Sequence, residues 1–437
     1  MINLGLDNIR ALCEKLGNPQ DELKFIHIAG TNGKGSVGAY VSSILKTAGY
    51  KVGVYSSPAV FNEYEIIRVN GRNISKKDYE RLMKQIDAIC GESEADRTDT
   101  SCGERTADKA DASCGESEVD QVAASCGNGC VGIDCSEFEK QTALAFMYFL
   151  EKKCDLVVLE CGMGGETDAT NIVKNTYVSI FTSIGFDHMQ YLGNSLKEIA
   201  SVKAGIIKKY SDENLSAGRV ITTVNNPGEV LEVINSRAKK NGCAVYITEN
   251  DNSLKKVIPL MGEHQIENAS IAKAAVKALP RSFVVSDKDI LDGLHNTKWP
   301  GRFDVISKNP TLIIDGAHNP DAANKLRNAL EKYYPTQNKI FVTGMLKDKD
   351  QDEVMRIMAP LASSILTVTT EGARSFSATD LAKVALKYNS NVSSVGGIEE
   401  ALDLAYLMAD KKDVIVVFGT LSFLNRVLIW KKNREGK

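Results

Sequence analysis

The stretch FIHIAGTNGKGSVGAYVSSILKTAG, residues 25–49, sets small residues and one lysine between an apolar run and a helical pattern. The backbone amides of Gly30, Thr31, Asn32, Gly33, Lys34, Gly35 and Ser36, at the positive end of the helix that follows, can cradle phosphate oxygens, and Lys34 can neutralise a phosphoryl group in transit. In the usual form of such a loop the lysine is followed at once by Ser or Thr, whose hydroxyl holds the magnesium of a bound nucleotide. Here Gly35 takes that place and Ser36 comes one residue late. The metal therefore needs donors from elsewhere, and Ser57, Glu160 and His188, at or just beyond the ends of short apolar runs, are the candidates. A glycine turn with a solvated lysine is the plainer alternative; strand, glycines, lysine and helix appearing in order favour the phosphate loop.

The elements that must hold these residues follow from apolar spacing. KFIHIAG reads as a buried strand, and Val37, Tyr40, Val41, Ile44 and Leu45 recur at helical spacing until Gly49 ends the helix. KVGVYSS, DLVVLECG and YVSIFTSIG are further short strands, with a helix over 138–152. The pattern is α/β, a mostly parallel sheet whose carboxyl edge carries the loop, Ser57, Glu160 and Asp187–His188. After a linker near 296–301 a second alternating block begins with TLIIDGAHN, a helix from about Pro320, and KIFVTGML, and it ends with DVIVVFGTLSF. It reads as a smaller Rossmann-like α/β domain, which divides the chain into a nucleotide-binding domain over 1–297 and a second domain over 298–437 with a cleft between them.

A chain of 437 residues with a net charge of −3 and 25% charged residues is a globular protein of about two domains, without the basic footprint of a nucleic-acid binder. No apolar run approaches the ~18 residues of a membrane span, and the N-terminus lacks a signal-peptide layout, so a cytoplasmic location is expected. Cysteines at 90, 102, 114 and 126 mark a twelve-residue repeat poor in core-forming residues, read as a flexible surface insertion over about 90–136. A thiolate metal set of Cys126, Cys130 and Cys135 is the sharper alternative, without the paired CxxC spacing that usually signals one.

HIAGTNGKGS, YSSP, LECGMGGETDATN, SIGFDHMQYLG, EIASVKAGIIK, GEHQIENA, PGRFDVI and DGAHNPDA, in this order, resemble the Mur ligase superfamily and within it folylpolyglutamate synthase and dihydrofolate synthase. The resemblance covers nearly the whole chain outside the cysteine repeat. It implies ATP and Mg2+ as cofactors, with Ser57, Glu160 and His188 as magnesium ligands and Lys203, carbamylated, as ligand to a second magnesium. It further implies nucleotide contacts from Asn268, Arg302 and Asp315, and a role for His318 in activity and toward the incoming glutamate; Lys34, Lys203, Asp315 and His318 form the catalytic set.

The implied reaction is ATP-dependent addition of L-glutamate to a folate, and also to dihydropteroate, through an acyl phosphate, with small-molecule substrates, no nucleic acid, no membrane and a monomeric chain. The sequence departs from the family at Ala59, where many members have histidine, and at Glu166. Two other classes compete: an ATP-hydrolysing switch, disfavoured by DGAHNP and the second domain, and a non-catalytic folate binder, disfavoured by the retained Lys34, Glu160, His188 and Lys203. Of the remaining histidines, His27 is expected to be a core residue and His295 structural.

Overall fold

The computed structural model describes residues 5–91, 133–209 and 218–435. Its first sheet is built on β1 (Phe25–Ala29), β2 (Val52–Tyr55), β5 (Leu156–Glu160), β6 (Thr176–Phe181), β7 (Arg219–Thr223) and β8 (Ala244–Thr248), with the short strands β3 (Ile67–Val69) and β4 (Arg72–Asn73) at one edge. The order is β4-β3-β2-β5-β1-β6-β7-β8, parallel throughout except for the β2–β3 and β3–β4 pairs. β1 lies in the middle and all five of its residues are buried, as a parallel strand covered on both faces requires.

Side chains of β1 alternate between two cores. Ile26 and Ile28 join Val37, Tyr40, Val41 and Ile44 of α2 (Lys34–Thr47), together with α8 (Glu263–Lys277) and α9 (Asp287–His295). Phe25 joins the opposite core, where α1 (Asp7–Lys15), α3 (Lys76–Cys90) and α4 (Glu137–Glu151) pack. His27 is fully buried there, its Nε2 2.9 Å from Thr170 Oγ1 and 3.1 Å from Cys161 Sγ, and burial lowers its pKa to about 3. It is a core histidine, as expected.

The second sheet, order β13-β12-β11-β14-β10-β9, comprises β9 (Asp304–Lys308), β10 (Thr311–Ile314), β11 (Lys339–Thr343), β12 (Ser364–Val368), β13 (Val392–Val395) and β14 (Val414–Phe418). All its pairs are parallel except β9 with β10. α10 (Pro320–Tyr333) and α11 (Gln351–Met358) cover one face, α13 (Ile398–Met408) and α14 (Leu424–Glu435) the other. The architecture is the α/β pair of mostly parallel sheets read from the apolar spacing. The antiparallel β3–β4 hairpin went unread because these strands are two and three residues long, below the length at which alternation is a signal.

The cysteine repeat falls largely outside the described residues, including Cys102, Cys114, Cys126 and Cys130. Its ends do not. Cys90 closes α3 and Cys135 precedes the Ser136–Glu139 capping box of α4, and both thiols sit in the core beside Leu82, Ile86 and Phe146. The folded body therefore reaches further into 90–136 from both sides than composition suggested. Burial raises the Cys135 thiol pKa.

Candidate active site

Four neighbouring strands of the first sheet, β2, β5, β1 and β6, run parallel and end at the same edge. Ser57 follows β2, Glu160 ends β5, the loop 30–36 follows β1, and residues 183–188 follow β6. In the second sheet Asp315 and His318 follow β10 and Lys349 follows β11. The two edges face each other across one cavity lined by the whole loop together with Ser57, Glu160, His188, Lys203, Asn268, Arg302, Asp315 and His318. The loop and every residue that the family resemblance assigns to nucleotide, metal or catalysis thus line a single cleft.

Two glycines of the loop are there for want of a side chain. Gly33 has φ +91°, and a Cβ on it would stand 2.5 Å from Asn268 Oδ1. Asn268 in turn donates to Gln265 Oε1 at 3.1 Å, and Gln265 donates to Ser36 Oγ at 3.5 Å, so α8 braces the start of α2. Ser36, the late serine, is buried under this brace. Gly35 is crowded by Trp299 of the linker, where a Cβ would stand 2.6 Å from the indole ring. A side chain after the lysine would have to displace that ring.

Lys34 and Lys203 converge on one acceptor. Lys34 Nζ lies 3.2 Å and Lys203 Nζ 2.9 Å from the carbonyl of Gly30. Lys203, near the end of α6 (Leu196–Ala204), is 4% exposed, and burial followed by the charge of Lys34 lowers its pKa to about 7. A lysine so placed is in good part a free amine near neutral pH.

Glu160 is buried and has no ion-pair partner among the described residues; burial raises its pKa to about 7 against the pull of Lys34, Arg302 and Arg68. Burial lowers His188 to about 4, which outweighs the opposing Asp187 and leaves the imidazole neutral with a lone pair to give. A buried carboxylate seeking a cation beside a neutral imidazole and a serine hydroxyl is a donor set that fits a divalent ion. Among the described residues no three His, Cys, Asp or Glu side chains group closely enough to hold a metal by themselves. Ser57 is the donor that would complete this set, and a modified Lys203 would serve a second ion.

The opposite wall is already engaged. Asp315 accepts from the amides of Phe303 at 2.7 Å and Ala317 at 2.8 Å; burial raises its pKa while Arg302 opposes the rise. His318 Nδ1 is 2.7 Å from the carbonyl of Gly316, which can only accept, so Nδ1 donates there, while Nε2 faces Asp187 at 3.8 Å. His295 is exposed, away from the cavity, with Nδ1 3.1 Å from the carbonyl of Val257.

Sequence reasoning missed the contacts that cross the cleft. Asp187 accepts from Lys349 at 2.8 Å and Asn319 at 3.2 Å, and Lys349 is 6% exposed. Burial pushes the Asp187 pKa up, but hydrogen bonding from His318 and the charge of Lys349 carry it below the usual carboxylate range. Asn32 of the loop donates to Asp321 at 2.7 Å, and Lys325 bridges Asp321 and Ser183. DGAHNPDAANK held part of this signal, since Asn319 caps α10 and Asp321 and Lys325 share one face of it. Nothing in the sequence marked Lys349.

A phosphate loop facing a second α/β domain across a closed set of ionisable groups defines an ATP-dependent ligase of the Mur ligase kind. The Mur ligase middle domain matches residues 117–276 and the Mur ligase glutamate ligase domain residues 301–421. A probable dihydrofolate synthetase of Schizosaccharomyces pombe is 30% identical over 84% of this chain and 82% of its own length. An Escherichia coli FolC structure in complex with DHPP and ADP aligns with TM-score 0.80 at 28% identity, covering 99% of this chain and 94% of that one. A bifunctional folylpolyglutamate synthase/dihydrofolate synthase from Yersinia pestis, complexed with AMPPNP and Mn, aligns with TM-score 0.77 at 28% identity over 99% and 94%. The chain belongs to the folylpolyglutamate synthase and dihydrofolate synthase family of Mur ligases.

Proposed function

We infer that this chain joins L-glutamate to folates with ATP and a divalent ion, and that it accepts dihydropteroate as well. The observation that carries the reading is the single cleft in which the phosphate loop, Glu160, His188 and Lys203 face Asp315, His318 and Arg302. A carboxylate is a poor electrophile, so its oxygen first takes the terminal phosphoryl group of ATP, releasing ADP and leaving an acyl phosphate. The neutral amine of glutamate then attacks the acyl carbon, the amide bond forms, and phosphate and a proton leave.

Lys34 stabilises charge on the moving phosphoryl group, and the loop amides hold the phosphates that stay. Ser57, Glu160 and His188 would hold one magnesium and a carbamylated Lys203 a second, and these ions would supply positive charge to the phosphate oxygens. The free amine of Lys203 suits carbamylation: its nitrogen bonds the carbon of CO2, one N–H proton is released, and the neutral amine becomes an anion that Lys34 neighbours favourably. His318 lines the cleft at the second domain's edge, where its ring could meet the incoming glutamate. Closing the two domains removes much of the entropic barrier to bringing acyl phosphate and amine together.

We read the two units as 1–297 and 298–437 and the enzyme as a cytoplasmic monomer with small-molecule partners only; the near-neutral charge lacks the footprint of a nucleic-acid partner. Among the described residues no helix is long and apolar enough to cross a membrane. Phosphate release measured with dihydropteroate and with tetrahydrofolate, each with and without glutamate, tests the function. Release with both acids that depends on glutamate is expected. ATP turnover indifferent to glutamate and to either acid would sink it in favour of a nucleotide switch.

A further inference from the structure

We propose that Trp299 is a positioning residue that seats the domain linker on the phosphate loop, in the space a Ser or Thr after the loop lysine would take. The evidence begins at Gly35. A Cβ there would lie 2.6 Å from Cζ2, 3.1 Å from Cε2 and 3.3 Å from Nε1 of Trp299. On its other side the ring is packed by the guanidinium of Arg68, 4.8 Å from its centre and itself fixed by a hydrogen bond to Ser56 Oγ at 2.7 Å. Ser56 directly precedes Ser57. A chain of contacts therefore runs from the end of β2 through Arg68 and Trp299 to the first turn of α2.

The chemistry of the indole gives this seat a consequence. An indole N–H only donates, so it cannot ligate a cation as a serine hydroxyl would. Nε1 is buried and without a hydrogen-bond partner, although its ring lines the groove beside α2 with Lys46, Arg68 and Lys298. Divalent metal is thus kept off this side of the loop and left to Ser57, Glu160 and His188. Trp299 also precedes Pro300, Gly301 and Arg302, and Arg302 lies in the cleft. Movement of the loop on binding nucleotide is passed to the linker, and so to the placing of Arg302 and the second domain. The inference rests on the nucleotide reading of the loop but not on the identity of the acid substrate.

The protein's two tryptophans make a direct test possible. Trp430 donates to Asp403 on the second domain, remote from the loop, so Trp430→Phe leaves Trp299 as the sole indole reporter. In that background Mg-ADP is expected to change Trp299 emission. Gly35→Ala should shift emission to longer wavelength as the ring is expelled, and weaken ADP binding roughly tenfold, the scale of an overpacked contact. Adding Trp299→Ala to Gly35→Ala removes the collision, so ADP affinity of the double variant should exceed that of Gly35→Ala alone. Calorimetric ADP binding and melting temperature are measured on every variant. Unchanged emission in Gly35→Ala, or strictly additive losses in the pair, would overturn the seat while ADP binding persists. No ADP binding by the Trp430→Phe protein would overturn the loop reading and the seat with it.

Discussion

The two walls of the cleft hold their ionisable groups in opposite ways. On the first-domain wall Glu160 and Lys203 are buried with pKa values moved to about 7 from opposite directions, each short of a compensating charge. On the second-domain wall Asp315 is satisfied by two backbone amides, His318 by a carbonyl, and Lys349 by Asp187 reaching across. Burial without partners marks a wall awaiting ligands, since charge supplied by metal, phosphate or CO2 would relieve its desolvation. Burial with partners marks a wall whose task is to hold position.

The largest effect should come from the unsatisfied wall. Lys34→Ala is expected to cut phosphate release on the order of a thousandfold while melting temperature stays close to the parent, because the ammonium acts on the moving phosphoryl charge and not on the core. A near-normal rate would reject the loop assignment.

Lys203→Ala should abolish phosphoryl transfer nearly as completely yet leave ADP binding measurable. A short carboxylic acid in the medium should restore part of the rate and an amine should not. The parent should also lose activity as pH falls through about 7, where the Lys203 amine becomes protonated and unable to take up CO2. For stability the sign is opposite to that of a paired lysine: the folded pKa lies below the unfolded ~10.4, so the unfolded chain binds more protons between these values and stability rises with pH across that window. Titration of melting temperature from pH 7 to 10 in parent and Lys203→Met checks this; equal slopes would remove Lys203 from the account.

Smaller effects are expected from the pinned wall. Lys349→Met removes a buried ion-pair partner of Asp187, loosening the grip of one domain on the other, and should lower kcat/KM for glutamate roughly tenfold with ADP affinity little changed. An equal loss of ADP affinity would mean that Lys349 serves the nucleotide side.

The smallest change should follow deletion of residues 92–131, which spares Cys90 and Cys135 in the core. Melting temperature should move by no more than about 3 °C, on the order of 1 kcal/mol for a domain of roughly 250 residues. A collapse in stability would show that the repeat packs on the body.

Local chemistry in the sequence determined a good deal about this protein. Apolar spacing is set by which faces a strand or helix buries, so β1, α2 and the alternating second block could be read without tertiary information, and the loop's small residues and lysine announced phosphate. Motif resemblance brought Lys203, Asn268, Arg302, Asp315 and His318 forward, and the fold gathers all of them in one cleft. Only the tertiary structure decided why Gly35 must lack a side chain, since the ring that fills the space comes from the linker. It alone joined Asp187 to Lys349, 162 residues apart, and fixed which buried groups went without partners. Such pairings depend on where two sheet edges come to rest against each other, and no periodicity within either segment encodes that distance.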